Sequence, residues 1–211
     1  MSATVWDNIY REYLAGGPAW ASLKDDIHGS FLSFIEKSAF TVKSVLDIGC
    51  GQGKYLKYLQ GKGFKITGLD SSAAAIQMTE DLLNHQGEFI LADMYKYRYS
   101  VSAYDLIISH ATLHHGKKKD IIALLDKIYD SLIVRGKIFI SIPSDDCQKS
   151  WIMMAEHETL DDGTCIPVTG PEKGLPHSFY AREEIDALFS RYSSLEISID
   201  ERGRWIITGE K

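Results

Sequence analysis

The chain has 211 residues, 45% of them hydrophobic, 11% aromatic and 25% charged, which suffices for one hydrophobic core and leaves no stretch polar enough to stay disordered. Lys and Arg number 23 against 29 Asp and Glu, a net charge of -6 that repels a phosphate backbone, so nucleic acid is not an expected partner. Cys50, Cys147 and Cys165 form no CxxC pair, no basic-then-apolar signal opens the chain, and no apolar run reaches the roughly 20 residues of a bilayer span, which together imply a cytoplasmic protein without membrane attachment.

Two helical segments open the chain, at about 5–14 and 24–38, separated by Gly16-Gly17-Pro18, through which no helix continues. Trp6, Tyr10 and Tyr13 share one face of the first segment. With Trp20 they either pack on the core or roof a ligand crevice, and both readings stand. Residues 1–40 are thus expected to form a helical cap.

From Val42 onward short β-branched runs alternate with segments of helical period: strands at about 43–48, 64–69, 87–91, 104–109 and 136–142, with helices at about 53–61, 72–83 and 118–132. The alternation predicts βαβ units and a doubly wound, mostly parallel α/β sheet. A helix at about 181–190 starts with Glu183 and Glu184. Two alternating runs follow, Leu195–Ile199 and Trp205–Thr208, joined as a hairpin by Asp200-Glu201-Arg202-Gly203. Between the fifth strand and that helix lies an insertion, 145–180, whose stretch Thr169–His177 is too rich in Gly and Pro for regular structure. It is expected to be a mobile lid on a single domain spanning 1–211, with Trp151, Met153 and Met154 excluding water and His177 and Tyr180 presenting polar contacts.

Val45-Leu46-Asp47-Ile48-Gly49-Cys50-Gly51-Gln52-Gly53 sets a glycine turn between a buried strand and a helix, where the backbone can approach a ligand without Cβ atoms in the way. Asp70 ends the second strand, and its carboxylate can accept both hydroxyls of a ribose; alternatively Asp70-Ser71-Ser72 caps the next helix. Asp93 ends the third strand, placed for an adenine amino group, with Met94 to pack on the ring. Dinucleotide sites use GxGxxG to cradle a pyrophosphate, whereas the pattern here is Asp-x-Gly-x-Gly-x-Gly. Asp47 repels such an anion and attracts a ligand carrying an ammonium and a sulfonium.

Val45–Gly53, Asp70, Asp93 and the strand Tyr104–Ser109 resemble the successive motifs of class I S-adenosylmethionine-dependent methyltransferases. The resemblance implies a seven-stranded sheet whose last strand, Trp205–Thr208, runs antiparallel. It implies further that Asp47 with the Gly49, Cys50, Gly51 and Gly53 turn sits near the methionine moiety, that Asp70 with Ser71 holds the ribose, and that Asp93 and Met94 bracket the adenine. Leu113-His114-His115 resembles the LHH stretch of ubiquinone- and menaquinone-type enzymes, and the compact length is similar to tellurite-resistance and thiopurine-type enzymes. Ser109-His110-Ala111-Thr112 stands where many DNA and protein amide methyltransferases carry Asn-Pro-Pro-Tyr, which argues against base methylation.

The expected acceptor is therefore a small molecule above the fourth and fifth strands, bound by a monomer or homodimer. His110, which also borders the cofactor crevice, and His177 are the candidate general bases, and Tyr10, Tyr13 and Trp20 the candidate roof. The spacing of His114, His115, His157 and His177 is not that of known zinc ligands, so no metal is expected. Two competing classes, a nicotinamide oxidoreductase and a non-catalytic binding module, fit less well. The first lacks a suitably placed Tyr-x-x-x-Lys pair, and the second would be expected to lose the cofactor residues retained here.

Overall fold

Val45, Leu46 and Ile48 are inaccessible whichever way their side chains point, the mark of a strand covered on both faces. They belong to the centre of the sheet in the computed structural model, which describes residues 2–18, 26–147 and 156–211. The described elements are α1 (Ser2–Leu14), α2 (Gly29–Lys37), β1 (Ser44–Ile48), α3 (Lys54–Gly61), β2 (Lys65–Asp70), α4 (Ala73–Leu82), β3 (Glu88–Leu91), β4 (Tyr104–His110), α5 (Lys118–Ser131), β5 (Leu132–Pro143), β6 (His157–Thr159), β7 (Cys165–Pro167), α6 (Arg182–Leu188), β8 (Ser193–Ile199) and β9 (Arg204–Glu210).

Seven strands form one sheet in the order β3-β2-β1-β4-β5-β9-β8. Strands β1 to β5 pair in parallel, and β9 runs antiparallel to both β5 and β8. Residue parity divides the core. Leu46, Ile48, Ile107, Ile138 and Ile140 face one cluster with α5 and α6, while Val45, Leu106, Ile108 and Phe139 face the other with α2 and α3. Helix α5 buries Ile121, Leu124, Leu125 and Ile128, a spacing of three and four that makes one apolar stripe. None of the described helices is long and apolar enough to cross a membrane.

Two expectations on elements are corrected. The second helix starts at Gly29, with His28 as its N-cap accepting from the Ser30 amide. Strand β5 starts at Leu132, straight from α5; residues 133–136 bulge out of the ladder with β4, leaving Val134 81% exposed. The insertion also carries an element not read from the sequence: ahead of the Gly- and Pro-rich stretch Thr169–His177 lies the antiparallel two-stranded ribbon of β6 and β7. Behind it Leu175, His177, Ser178, Phe179 and Tyr180 are buried, and the Ser178 amide donates to the His114 carbonyl at 2.9 Å.

Candidate active site

The strand order reverses between β1 and β4, and a crevice opens at their carboxyl ends. Its floor is the turn after β1. Gly49 and Gly51 have φ of +76° and +56°, and a Cβ on either would strike a neighbour: Thr112 Cγ2 at 2.2 Å from Gly49 and Tyr10 Oη at 2.6 Å from Gly51. The turn spends its amides internally. Gly49 and Cys50 donate to the Leu69 carbonyl at 2.7 and 3.1 Å, Gly53 donates to the Cys50 carbonyl at 2.9 Å, and Gly51 donates to Asp70 Oδ2 at 3.0 Å. None of these four amides is left to cradle a pyrophosphate.

Asp47 lines the crevice at 3% exposure, and no hydrogen-bond donor among the described residues reaches its carboxylate. Burial, and then the nearby Asp70, push its carboxyl well above the usual range, with Lys54 opposing. Such a group calls for a cation. Asp70 lines the same crevice with both oxygens oriented: Oδ2 takes the Gly51 amide and Oδ1 takes the Ser72 amide at 2.9 Å. Each oxygen keeps a further lone pair for a ligand hydroxyl. The helix cap is Ser72, whose hydroxyl accepts from the Ala75 amide, so Ser71 is free of that duty and lines the crevice.

Asp93, Met94 and Tyr95 form the next wall. Asp93 Oδ1 accepts from the Tyr95 amide at 2.9 Å, which fixes the carboxylate at the strand end. The roof is α1, which sends Trp6, Ile9 and Tyr10 into the crevice. Tyr13 is half-buried but lines no part of it, and Trp20 lies outside the described residues, as do Trp151, Met153 and Met154. Gly53 is the N-cap of α3 and sits behind the crevice.

The far end is walled by Tyr55, His110, Ala111, Thr112 and His115. His110 Nε2 lies 3.3 Å from Arg204 Nη1, and Nδ1 lies 3.0 Å from Ser141 Oγ. A guanidinium only donates, so Nε2 is the acceptor and Nδ1–H donates to Ser141. Burial, then the Arg204 charge, depress this imidazole to about 3. A neutral ring with its lone pair engaged by Arg204 is suited to holding a wall in place. Arg204 is itself paired at 2.8 Å to Asp200, whose side chain is enclosed, and His28 Nε2 stands 3.5 Å from the same carboxylate.

His177 lines no part of the crevice; it is buried behind His115, with Nε2 3.2 Å from Glu172 Oε2. Among the described residues, none of 145–180 lines the crevice. Sequence reasoning left out Ile9, Gln52, Lys54, Tyr55 and His115 as crevice residues. Lys54 and Tyr55 directly follow the glycine turn, which was a usable signal. The Asp200–Arg204 support of His110 had none, since the pairing exists only once β9 closes on β5.

A mostly parallel sheet with a crevice at its switch point, a glycine turn and acidic strand ends is the arrangement used by nucleoside-binding α/β enzymes. Residues 19–192 match the sequence profile of the family described as Methyltransferase domain, and the chain belongs to that family. Solved structures share the fold at low identity. The PH0226 protein of Pyrococcus horikoshii is 17% identical with a TM-score of 0.70, covering 94% of this chain and 98% of that one. A SAM-dependent methyltransferase of Methanosarcina mazei is 17% identical with a TM-score of 0.66, covering 88% and 98%. DhpI, solved as an SAH complex, is 18% identical with a TM-score of 0.65, covering 98% and 93%. No curated protein matches the chain.

Proposed function

We propose that this methyltransferase moves the methyl group of S-adenosylmethionine to a small-molecule acceptor held beside His110 and Thr112. The observation that carries the reading is Asp47, a buried carboxylate with no protein donor among the described residues, next to Asp70, whose two oxygens are aimed by backbone amides. Asp47 suits the ammonium of the methionine moiety, Asp70 the ribose hydroxyls, and Asp93 with Met94 the adenine. The donor supplies a methyl group already activated by its sulfonium. The chain's own task is to align the acceptor in line with that methyl and to keep water out, which the α1 roof and the His110 wall serve. A small acceptor is supported by the roofed crevice and the acidic chain, and a cytosolic location by the thiols of Cys50 and Cys147.

Calorimetry with S-adenosylhomocysteine and NAD tests the cofactor: the first is expected to bind and the second to give no heat. Binding of NAD alone would return the chain to the oxidoreductase reading. Transfer of labelled methyl into a small-metabolite pool, with RNA, DNA and protein fractions alongside, tests the acceptor. Label is expected in the small-molecule fraction, and label confined to macromolecules would overturn that part.

A further inference from the structure

His114 and His115 follow β4, and His177 lies in the segment after the β6–β7 ribbon. The fold brings the three rings together, with centroids 3.9 Å apart for His114–His115, 4.7 Å for His115–His177 and 5.8 Å for His114–His177. One ring nitrogen of each lies within 4.8 Å of those of the others. The backbone holds them there: Cys165 and His177 exchange amide bonds at 2.9 and 2.7 Å, the Ser178 amide donates to the His114 carbonyl, and the Ser178 hydroxyl donates to the Gly116 carbonyl at 2.7 Å.

Two features of this cluster suit a bound metal ion. The Nδ1 atoms of His114 and His115 are buried with no hydrogen-bond partner among the described residues, a state that opposes folding unless a ligand meets them. At His177, Nδ1 lies 3.0 Å from the Leu175 carbonyl, so it carries the proton. In the neutral ring Nε2 then bears a lone pair, yet it faces the Glu172 carboxylate at 3.2 Å. A metal ion bound by both atoms satisfies that pair, since two ligands of one tetrahedral zinc stand about 3.3 Å apart.

We propose that His114, His115 and His177 bind a divalent transition metal of the zinc type, with the Glu172 carboxylate beside His177 drawn in as fourth ligand. Three imidazoles and a carboxylate are a donor set that zinc accepts in tetrahedral geometry. The Leu175 carbonyl is the outer partner that fixes the tautomer and orientation of the His177 ring. In such a site ligand nitrogens stand about 3.3 Å apart, so the rings draw inward by roughly 1 Å at most on loading. The metal clamps the segment after β7 onto the turn after β4, whose His115 meets Trp6 of the roof edge-on at 4.8 Å. The site is independent of the methyl-donor reading.

The test uses the full chain, stripped with a chelator and then titrated with zinc against a chromophoric indicator, and separately loaded with cobalt for its visible spectrum. Wild type is expected to take up about one zinc per chain and to give the intense bands of tetrahedral cobalt. His115→Ala and His177→Ala should each weaken zinc at least about 100-fold, Glu172→Gln should weaken it by about 10- to 100-fold, and His85→Ala, at an exposed position, should change nothing. If the histidine variants fail to fold by circular dichroism, Glu172→Gln and the wild-type cobalt spectrum decide. Wild type that takes up no zinc, or zinc affinity equal in wild type and Glu172→Gln, overturns the site and leaves His177 and Glu172 as a hydrogen-bonded pair.

Discussion

A carboxylate as enclosed as Asp47 opposes folding whenever it is ionised. Its folded value is raised by burial, so its contribution to stability is fully present below the unfolded value of about 4 and is lost as pH rises through the folded value. Asp47→Asn is therefore expected to raise the melting temperature of the ligand-free protein at neutral pH, while weakening S-adenosylmethionine at least about tenfold, the loss of one charge-assisted contact. Thermal melts and calorimetry on the same preparation check both halves. A variant that is neither more stable nor weaker in binding would place the ammonium elsewhere. His110 has the opposite pH sense. Its folded value of about 3 lies below the unfolded 6.5, so stability is held above pH 6.5 and falls as pH drops, by about 1.4 kcal/mol per unit for this one group. His110→Gln should flatten the urea stability profile between pH 6.5 and 5 by about that amount, and the wild-type methyl-transfer rate should show no titration belonging to this ring near neutrality.

At the scale of elements, the roof is held by a borrowed cap. Asp7 of α1 accepts from the Ser72 hydroxyl at 3.0 Å and from the Ala74 amide at 2.9 Å, so the side chain of one helix caps the start of α4. Arg11 beside it, then the Ala74 amide, hold the Asp7 carboxyl below the usual range. Asp7→Ala should cost about 1 kcal/mol of stability and raise the dissociation rate of S-adenosylhomocysteine several-fold, because Tyr10 is carried on the same helix. Stopped-flow displacement checks the rate; an unchanged rate would mean that the roof stays shut without its cap.

This scale also marks how far the sequence could be read. The central strands and the last hairpin were legible because buried runs such as Val45–Ile48 are bounded by glycine turns and followed by helical period. The acidic strand ends Asp47, Asp70 and Asp93 were legible for the same reason. The β6–β7 ribbon was not, since three residues per strand give no period. Nor was the work of His110, which depends on Arg204 from a strand far along the chain. Which residue of Asp70-Ser71-Ser72 caps was not legible either, because adjacent serines carry equal propensity and only the backbone angle chooses Ser72.

Across the whole molecule, rigidity is distributed unevenly around the crevice. The turn after β1 is tied to Leu69 and Asp70, and the segment 175–180 is buried and bonded to the turn after β4, whereas α1 has Ile9 as its one wholly buried apolar side chain among the described residues. Helix α1 thus belongs to the low-stability end of the fold, and it is the element that must part for a ligand to reach Asp47. Hydrogen exchange is expected to reflect this. Without ligand, α1 amides should exchange much faster than those of β1 and β4, which open only with the global fold. Saturating S-adenosylhomocysteine should slow α1 and the Gly49–Gly53 turn, because a ligand that binds only the roofed state lowers the open population by the factor 1 + [L]/Kd. Segment 175–180 should show the same protection with and without ligand, being already closed. Strong ligand protection in 175–180, with α1 unchanged, would assign closure to the insertion and reduce α1 to a fixed wall.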